Sequence, residues 1–183
     1  MAQRFDELGQ THIQFIGQQQ MFFVATASSD GRVNLSPKGL DAFRVMSSKK
    51  IAWLSLTGSG NETAAHLLEN ARMTIMFCAF VGKPHILRLY GQAHAIYEHD
   101  AAWAEYVSHF ELMPGTRQIF VMDVDLVQTS CGMAVPMFDH IEERNQLLAW
   151  AEAKGKSGIE QYWQEKNQMS IDQKPTGLLN KSK

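Results

Sequence analysis

The segment from Leu54 to Phe77 constrains the fold more than any other part of this 183-residue chain. It reads as the end of a strand, a loop with glycines at Gly58 and Gly60, a short helix, and an apolar strand that begins at Arg72. Such a loop leaves free backbone N–H groups at the start of the helix, where the helix dipole favours an anion. The pattern therefore predicts either an anion site, such as one for the phosphate of a nucleotide-like cofactor, or a purely structural turn.

Short strands alternate with turns through most of the chain before Pro136. We expect strands at about 21–28, 32–36, 43–46, 51–56, 72–80, 86–97 and 118–126. Apolar residues at helical spacing predict helices at about 5–18 and 100–110. After Pro136 the pattern is helical to the end, with a loose polar tail beyond Ile171. These elements indicate an α+β fold around a small antiparallel barrel.

The composition is that of an ordinary globular protein, with 45% apolar and 20% charged residues. A formal net charge of −2 provides no basic surface, so neither nucleic acid nor a membrane is an expected partner. Cys78 and Cys131 are too few for a disulfide framework, and the histidines and cysteines lack the spacing of a metal site. We therefore expect no bound metal. Because the N-terminus lacks the apolar core of a signal peptide, we expect a cytoplasmic protein.

Four features follow one another in a fixed order over roughly residues 20 to 135. They are Gly31-Arg-Val-Asn-Leu-Ser-Pro-Lys-Gly39, the loop and helix at 57–70, the strand at 72–80, and Ile86-Leu-Arg-Leu-Tyr-Gly91. In this order they resemble the pyridoxamine 5′-phosphate oxidase-like family of FMN-binding split barrels. The segment Thr129-Ser-Cys-Gly-Met-Ala-Val-Pro136 and the helices after it resemble a subgroup of flavin-related proteins of undefined substrate.

The resemblance implies a homodimeric split β-barrel with FMN at the dimer interface. Because the flavin supplies redox chemistry, it also implies an FMN-dependent oxidoreductase acting on a small molecule of unknown identity. In this family, basic and hydroxyl groups of the second hairpin and of the loop-to-helix turn hold the phosphate. Carried over to this sequence, the cofactor-binding positions are Arg32, Ser36, Lys38, Thr57, Gly58, Asn61, Thr63 and Arg88. No residue is singled out as a catalytic acid or base.

Glu62 departs from the family pattern, in which Glu62 and Thr63 correspond to two basic positions. A carboxylate beside a phosphate is repulsive unless it points away. Two arrangements would turn it away: a capping box between Ser59 and Glu62, or an i,i+4 pair between Glu62 and His66 on the solvent face. Either one leaves Lys38, Arg88 and backbone amides to neutralise the phosphate.

Other functions stay open at this point. One alternative is a non-catalytic split barrel that binds flavin or haem, and others are a reductase that uses deazaflavin and a dimer whose cofactor site has decayed. Oxidation of pyridoxamine phosphate itself is not expected, because family members with that activity carry basic substrate contacts near the C-terminus and this C-terminus is a different helical region. We divide the chain into a split-barrel flavin-binding domain with the N-terminal helix, 1–136, and a C-terminal helical extension packed on it, 137–183.

Overall fold

Eight antiparallel strands form one sheet in the computed structural model, which describes residues 2–179. The strands are β1 Gln3–Phe5, β2 Phe22–Thr26, β3 Asn34–Lys38, β4 Phe43–Ser47, β5 Lys50–Leu56, β6 Arg72–Cys78, β7 Ile86–Ile96 and β8 Thr116–Ser130. The helices are α1 Gln10–Gly17, α2 Glu62–Glu69, α3 Trp103–Val107 and α4 Gln146–Lys166. The sheet order is β3-β2-β6-β7-β8-β5-β4, with β1 paired to β8 outside this path. The predicted α+β class and antiparallel sheet are confirmed.

The sheet curls so that its two ends face each other. Phe43 belongs to β4 at one end, yet its ring lies 5.0 Å from that of Phe22 in β2 and 5.1 Å from that of Phe77 in β6. Beneath them, Trp53 of β5 stacks on Phe120 of β8 with the ring centroids 4.5 Å apart. These aromatic rings therefore pack inside the curled sheet and form the apolar interior that the alternating sequence pattern predicts.

Two apolar clusters lie on opposite faces of β5 and β8. The interior cluster includes Trp53 and Phe120, and helices α1 and α2 cover it through Ile16 and Ala64. The second cluster lies on the outer face, where α3 packs over residues such as Leu54. Alternate residues of one strand thus enter different clusters, as the two-residue period of a strand requires.

The ends of the chain differ from the predicted pattern. Residues 3–5 pair with β8 as β1, so α1 begins at Gln10 instead of near residue 5. At the other end, residues 137–145 are not helical, and α4 is broken at Gly155, where φ is 64°. Residues 167–179 are irregular, but Thr176 and Leu178 are buried, so the prediction of a loose tail is wrong for this segment. Residues 180–183 of the predicted extension lie outside the described part of the chain.

No helix within residues 2–179 has the length and apolar character needed to cross a membrane.

Candidate anion-binding cleft

A cleft of about 270 Å³ opens where β3, the end of β5 and the loop 57–61 meet the start of β8. Its walls combine two cationic side chains, Lys38 and Arg117, with small polar groups and the loop backbone. Trp53 and Phe120 of the interior cluster form its apolar floor. A cleft with this lining is suited to a ligand that carries both an anionic group and an apolar part.

A β-bulge brings Arg117 into the cleft. Ser55 pairs with Gln118 and Leu56 pairs with Thr116, so Arg117 is the extra residue of β8 without a partner in β5. Regular alternation would send Arg117 to the face opposite Gln118, whereas a bulge redirects one side chain. The sequence pattern alone therefore does not predict that Arg117 lines a site, and its one local signal is an isolated arginine at the start of an apolar run.

Arg117 is buried, and no carboxylate within residues 2–179 forms a salt bridge with it. The side chain is 6% exposed and donates to the Gly60 carbonyl at 3.0 Å, to Asn167 Oδ1 at 2.7 Å and to Ser55 Oγ at 3.3 Å. Its Nε is buried and has no hydrogen-bond partner among the described residues. Burial lowers the pKa of Arg117 to about 10, so the guanidinium is still charged at neutral pH. Every acceptor is formally neutral, and the positive charge is left for a ligand.

Lys38 is the second uncompensated cation. Its Nζ lies 5.3 Å from the centroid of the Trp53 ring. No salt bridge among the described residues involves Lys38 or Arg117. Burial, assisted by repulsion from Arg117, lowers the pKa of Lys38 to about 8. Two neighbouring cations that disfavour each other are the arrangement expected where an anion binds.

The loop 57–61 ends at the N-terminus of α2, which also faces the cleft. Asn61 precedes the helix, but its side chain does not cap it and exchanges two hydrogen bonds with Gln118 instead, at 2.6 and 3.3 Å. Thr63 in the first turn accepts a hydrogen bond from Asn34 of β3 at 3.3 Å. The positive end of the helix dipole therefore adds to the two cations.

Glu62 is turned towards the C-terminal segment. Both of its carboxylate oxygens lie 3.1 Å from the backbone nitrogen of Ile171, which donates to them. Neither predicted arrangement is present: Ser59 does not form a capping box, and His66 is buried, with its Nδ1 3.1 Å from Thr26 Oγ1. The Glu62 side chain lines the cleft, but its carboxylate is hydrogen-bonded to the backbone amide of Ile171.

The structure gathers five of the eight predicted cofactor residues around this cleft: Ser36, Lys38, Gly58, Asn61 and Thr63. Thr57 lies behind the loop, where its hydroxyl donates to the Gly115 carbonyl and accepts from Trp163 Nε1, each at 2.8 Å.

Two predicted arginines lie elsewhere. Arg32 forms a salt bridge with Asp172 beside a neighbouring cleft. Arg88 donates to Ser130 Oγ at 3.1 Å and is separate from the cleft residues. The structure adds Arg117 and its partner Asn167, neither of which the sequence pattern identified.

Comparisons with known proteins agree with this arrangement of strands. The family model described as "Pyridoxamine 5′-phosphate oxidase" matches residues 8–131. The pyridoxamine 5′-phosphate oxidase family protein ustO of Aspergillus flavus is 43% identical over 126 residues, which are 66% of this chain and 51% of that protein. This chain thus spans about half the length of that curated relative.

Solved structures share the fold. HupZ of Group A Streptococcus superposes with a TM-score of 0.52 at 19% identity, covering 65% of this chain and 91% of HupZ. A candidate pyridoxamine 5′-phosphate oxidase from Lactobacillus delbrueckii gives a TM-score of 0.52 at 13% identity, covering 67% of this chain and 94% of that one. The fold and cleft define an antiparallel-sheet protein with a cleft lined by two cationic side chains. With the match over residues 8–131, the chain belongs to the pyridoxamine 5′-phosphate oxidase family.

Proposed function

We propose that this protein binds FMN with the phosphate in the cleft between Lys38 and Arg117, and that it is an FMN-dependent oxidoreductase. The observation that carries the proposal is the pair of uncompensated cations at the N-terminus of α2. Family membership supports a flavin as the ligand, because the resemblance in the sequence is to flavin-binding split barrels. A dianionic phosphate would neutralise both cations at once.

The residues present fit a flavin phosphate. The buried, unpartnered Nε of Arg117 belongs to a guanidinium that already has three neutral acceptors, so the group has charge to offer. Lys38, Ser36 and Thr63 supply further donors along the same wall, and Asn61 is held in place by Gln118. When bound, the flavin would supply the hydride or electron transfer. The apolar floor of Trp53 and Phe120 would exclude water from its neighbourhood.

The role of the protein in this proposal is to bind and orient. Glu62 is the one carboxylate among the described residues that line the cleft, and its oxygens already accept from the Ile171 amide. We therefore assign no catalytic acid or base among the residues that line the cleft. The substrate is a small molecule whose identity stays open.

A homodimer with the cofactor at its interface is part of the proposal. Val33 and Leu35 flank the cleft-lining residues of β3 and are 73% and 64% exposed, which leaves an apolar strip available to a second copy. Arg88, remote from the cleft of its own chain, would then serve the interface or the cofactor of the partner. A cytoplasmic location fits the two free cysteines.

The visible absorption spectrum tests the proposal. Purified protein is mixed with FMN, desalted and scanned, and Lys38→Met is treated in parallel. We expect the wild type to retain a two-band flavin spectrum in proportion to protein, and the variant to lose most of it on desalting. A wild type that releases all added FMN would refute the proposal, and a deazaflavin-type spectrum would reassign the cofactor.

A non-catalytic flavin- or haem-binding protein is the second candidate. It is favoured by the engagement of Glu62 with Ile171, which leaves no free carboxylate among the described residues lining the cleft. This candidate would be supported if the protein retained flavin but no electron donor reduced it and no electron acceptor reoxidised it. A single intense Soret band on purification would indicate haem instead.

A further inference from the structure

Asn167 of the C-terminal segment contacts two residues that line the cleft, Arg117 and Gly58. This residue follows α4 and lies outside the stretch matched by the family model, residues 8–131. Its side chain is fully buried, with Oδ1 accepting from Arg117 at 2.7 Å and Nδ2 donating to the Gly58 carbonyl at 3.1 Å. One amide therefore joins the buried cation of β8 to the loop that borders the cleft.

The chemistry of this partner is informative. A buried arginine is ordinarily satisfied by a carboxylate, which neutralises it. An asparagine fixes the direction of the guanidinium equally well but removes none of its charge. With Ser55 Oγ and the Gly60 carbonyl as the other acceptors, Arg117 is held in place by neutral groups alone. Burying a charge without neutralising it lowers the stability of the fold, and this loss is expected where the charge binds a ligand.

The segment around Asn167 is itself well anchored. The backbone carbonyl of Asn167 accepts from Thr176 Oγ1 at 2.7 Å. Four residues earlier, Trp163 Nε1 donates to Thr57 Oγ1 at the start of the loop. Further along, Lys174 forms salt bridges with Asp30 and Glu69. Asn167 is thus held from both sides in the position that meets Arg117.

We propose that Asn167 is a positioning residue for the phosphate site: it aims Arg117 into the cleft and leaves its charge uncompensated. The C-terminal segment then completes a cofactor site that the family-matched region only begins. This inference rests on the proposed function, since the anion in question is the phosphate of FMN. Asn167 itself does not touch the cofactor; it acts through Arg117 and the loop.

The test compares FMN with riboflavin, which lacks the phosphate. Dissociation constants of both are measured by quenching of flavin fluorescence for the wild type, Asn167→Asp and Asn167→Ala. We expect Asn167→Asp to lower the preference for FMN over riboflavin at least about tenfold, because the new carboxylate neutralises Arg117. Asn167→Ala, which buries no new charge, should lower the same ratio by a smaller factor. Circular dichroism checks that each variant is folded.

Asn70 provides a matched control. It also accepts from an arginine, Arg72 Nε at 3.1 Å, and donates to a backbone carbonyl, that of Ala27 at 2.9 Å. Neither of these partners lines the cleft, whereas both partners of Asn167 do. Asn70→Asp and Asn70→Ala should leave the FMN-to-riboflavin ratio unchanged. A merely structural role of Asn167 would weaken both flavins alike, and an unchanged ratio in folded Asn167→Asp and Asn167→Ala would overturn the inference.

Inorganic phosphate separates failure of this inference from failure of the proposed function. If the wild type binds neither flavin, the proposed function fails, and the thermal shift caused by phosphate then reports on the anion site directly. Stabilisation of the wild type but not of Asn167→Asp would still support the positioning role. Absence of any phosphate effect on the wild type would overturn it as well.

Discussion

Lys38 should give the protein two opposite responses to pH. Its pKa lies near 8 instead of the usual 10.5, because burial and Arg117 disfavour the charged form in the folded state. Between these values the unfolded chain binds more protons than the folded one, so stability should rise with pH. A bound phosphate favours the charged form, so affinity for FMN should fall over the same range.

The magnitudes follow from the pKa. At a pKa of about 8, Lys38 is roughly 90% protonated at pH 7 and roughly 10% at pH 9, so FMN affinity should fall about tenfold. Over the same range the free energy of unfolding of the flavin-free protein should rise by at most about 1.4 kcal/mol. Because the side chain is partly exposed, solvent screening reduces this to about 1 kcal/mol. The phosphate of FMN stays dianionic throughout, since its second pKa is about 6.

The assay pairs urea unfolding with flavin titration at pH 7, 8 and 9. Lys38→Met should abolish both slopes: the variant binds FMN weakly at every pH and gains no extra stability at pH 9. Lys83→Met, at an exposed position remote from the cleft, should behave like the wild type. Identical pH slopes in the wild type and Lys38→Met would show that Lys38 is not the titrating cation, and the reasoning would be refuted.

Three further predictions concern the sheet and the segments that pack on it. Gly91→Ala should lower the free energy of unfolding, measured with urea, by more than about 3 kcal/mol, because a Cβ at Gly91 would overlap the Asp123 carbonyl. A near-neutral effect would contradict the packing of β7 against β8. Trp163→Phe removes the hydrogen bond to Thr57 and should lower the free energy of unfolding, measured with urea, by about 1 kcal/mol. The ratio of FMN to riboflavin affinity should stay constant. A changed ratio would show that Trp163 does more than anchor the segment. Hydrogen bonds from Lys174, and to a smaller extent from Ser29, lower the pKa of Glu69 from 4.5 to about 2, so wild-type stability should fall as pH drops through that range. Lys174→Met should be less sensitive to acid over the same range, measured by thermal unfolding, and equal sensitivity would show that the ion pair does not form in solution.

Local patterns predicted the sheet well because its strands obey the two-residue period. The strands around Leu54, Ile75 and Leu89 lie close to where alternation and turn residues place them. The loop before α2 was recognised from its glycines and helix start. Five of the predicted cofactor residues meet at one cleft because two consecutive hairpins and this loop converge there.

What the sequence could not reveal depends on contacts between distant segments. Arg117 enters the cleft through a bulge, and its neutral environment comes from Asn167, 50 positions later. The tail beyond Ile171 is polar, as a loose tail would be, but Lys174 meets acids of the first hairpin and of α2. Glu62 finds its partner in the amide of Ile171, over 100 residues away. No local pattern records such pairings.

A crystal structure of the protein with FMN tests the central claim most directly. We predict that the phosphate lies in the cleft, within about 3.5 Å of both Lys38 Nζ and the Arg117 guanidinium, with Asn167 still bonded to Arg117. Flavin bound with its phosphate elsewhere, or a cleft that stays empty at saturating FMN, would contradict the account.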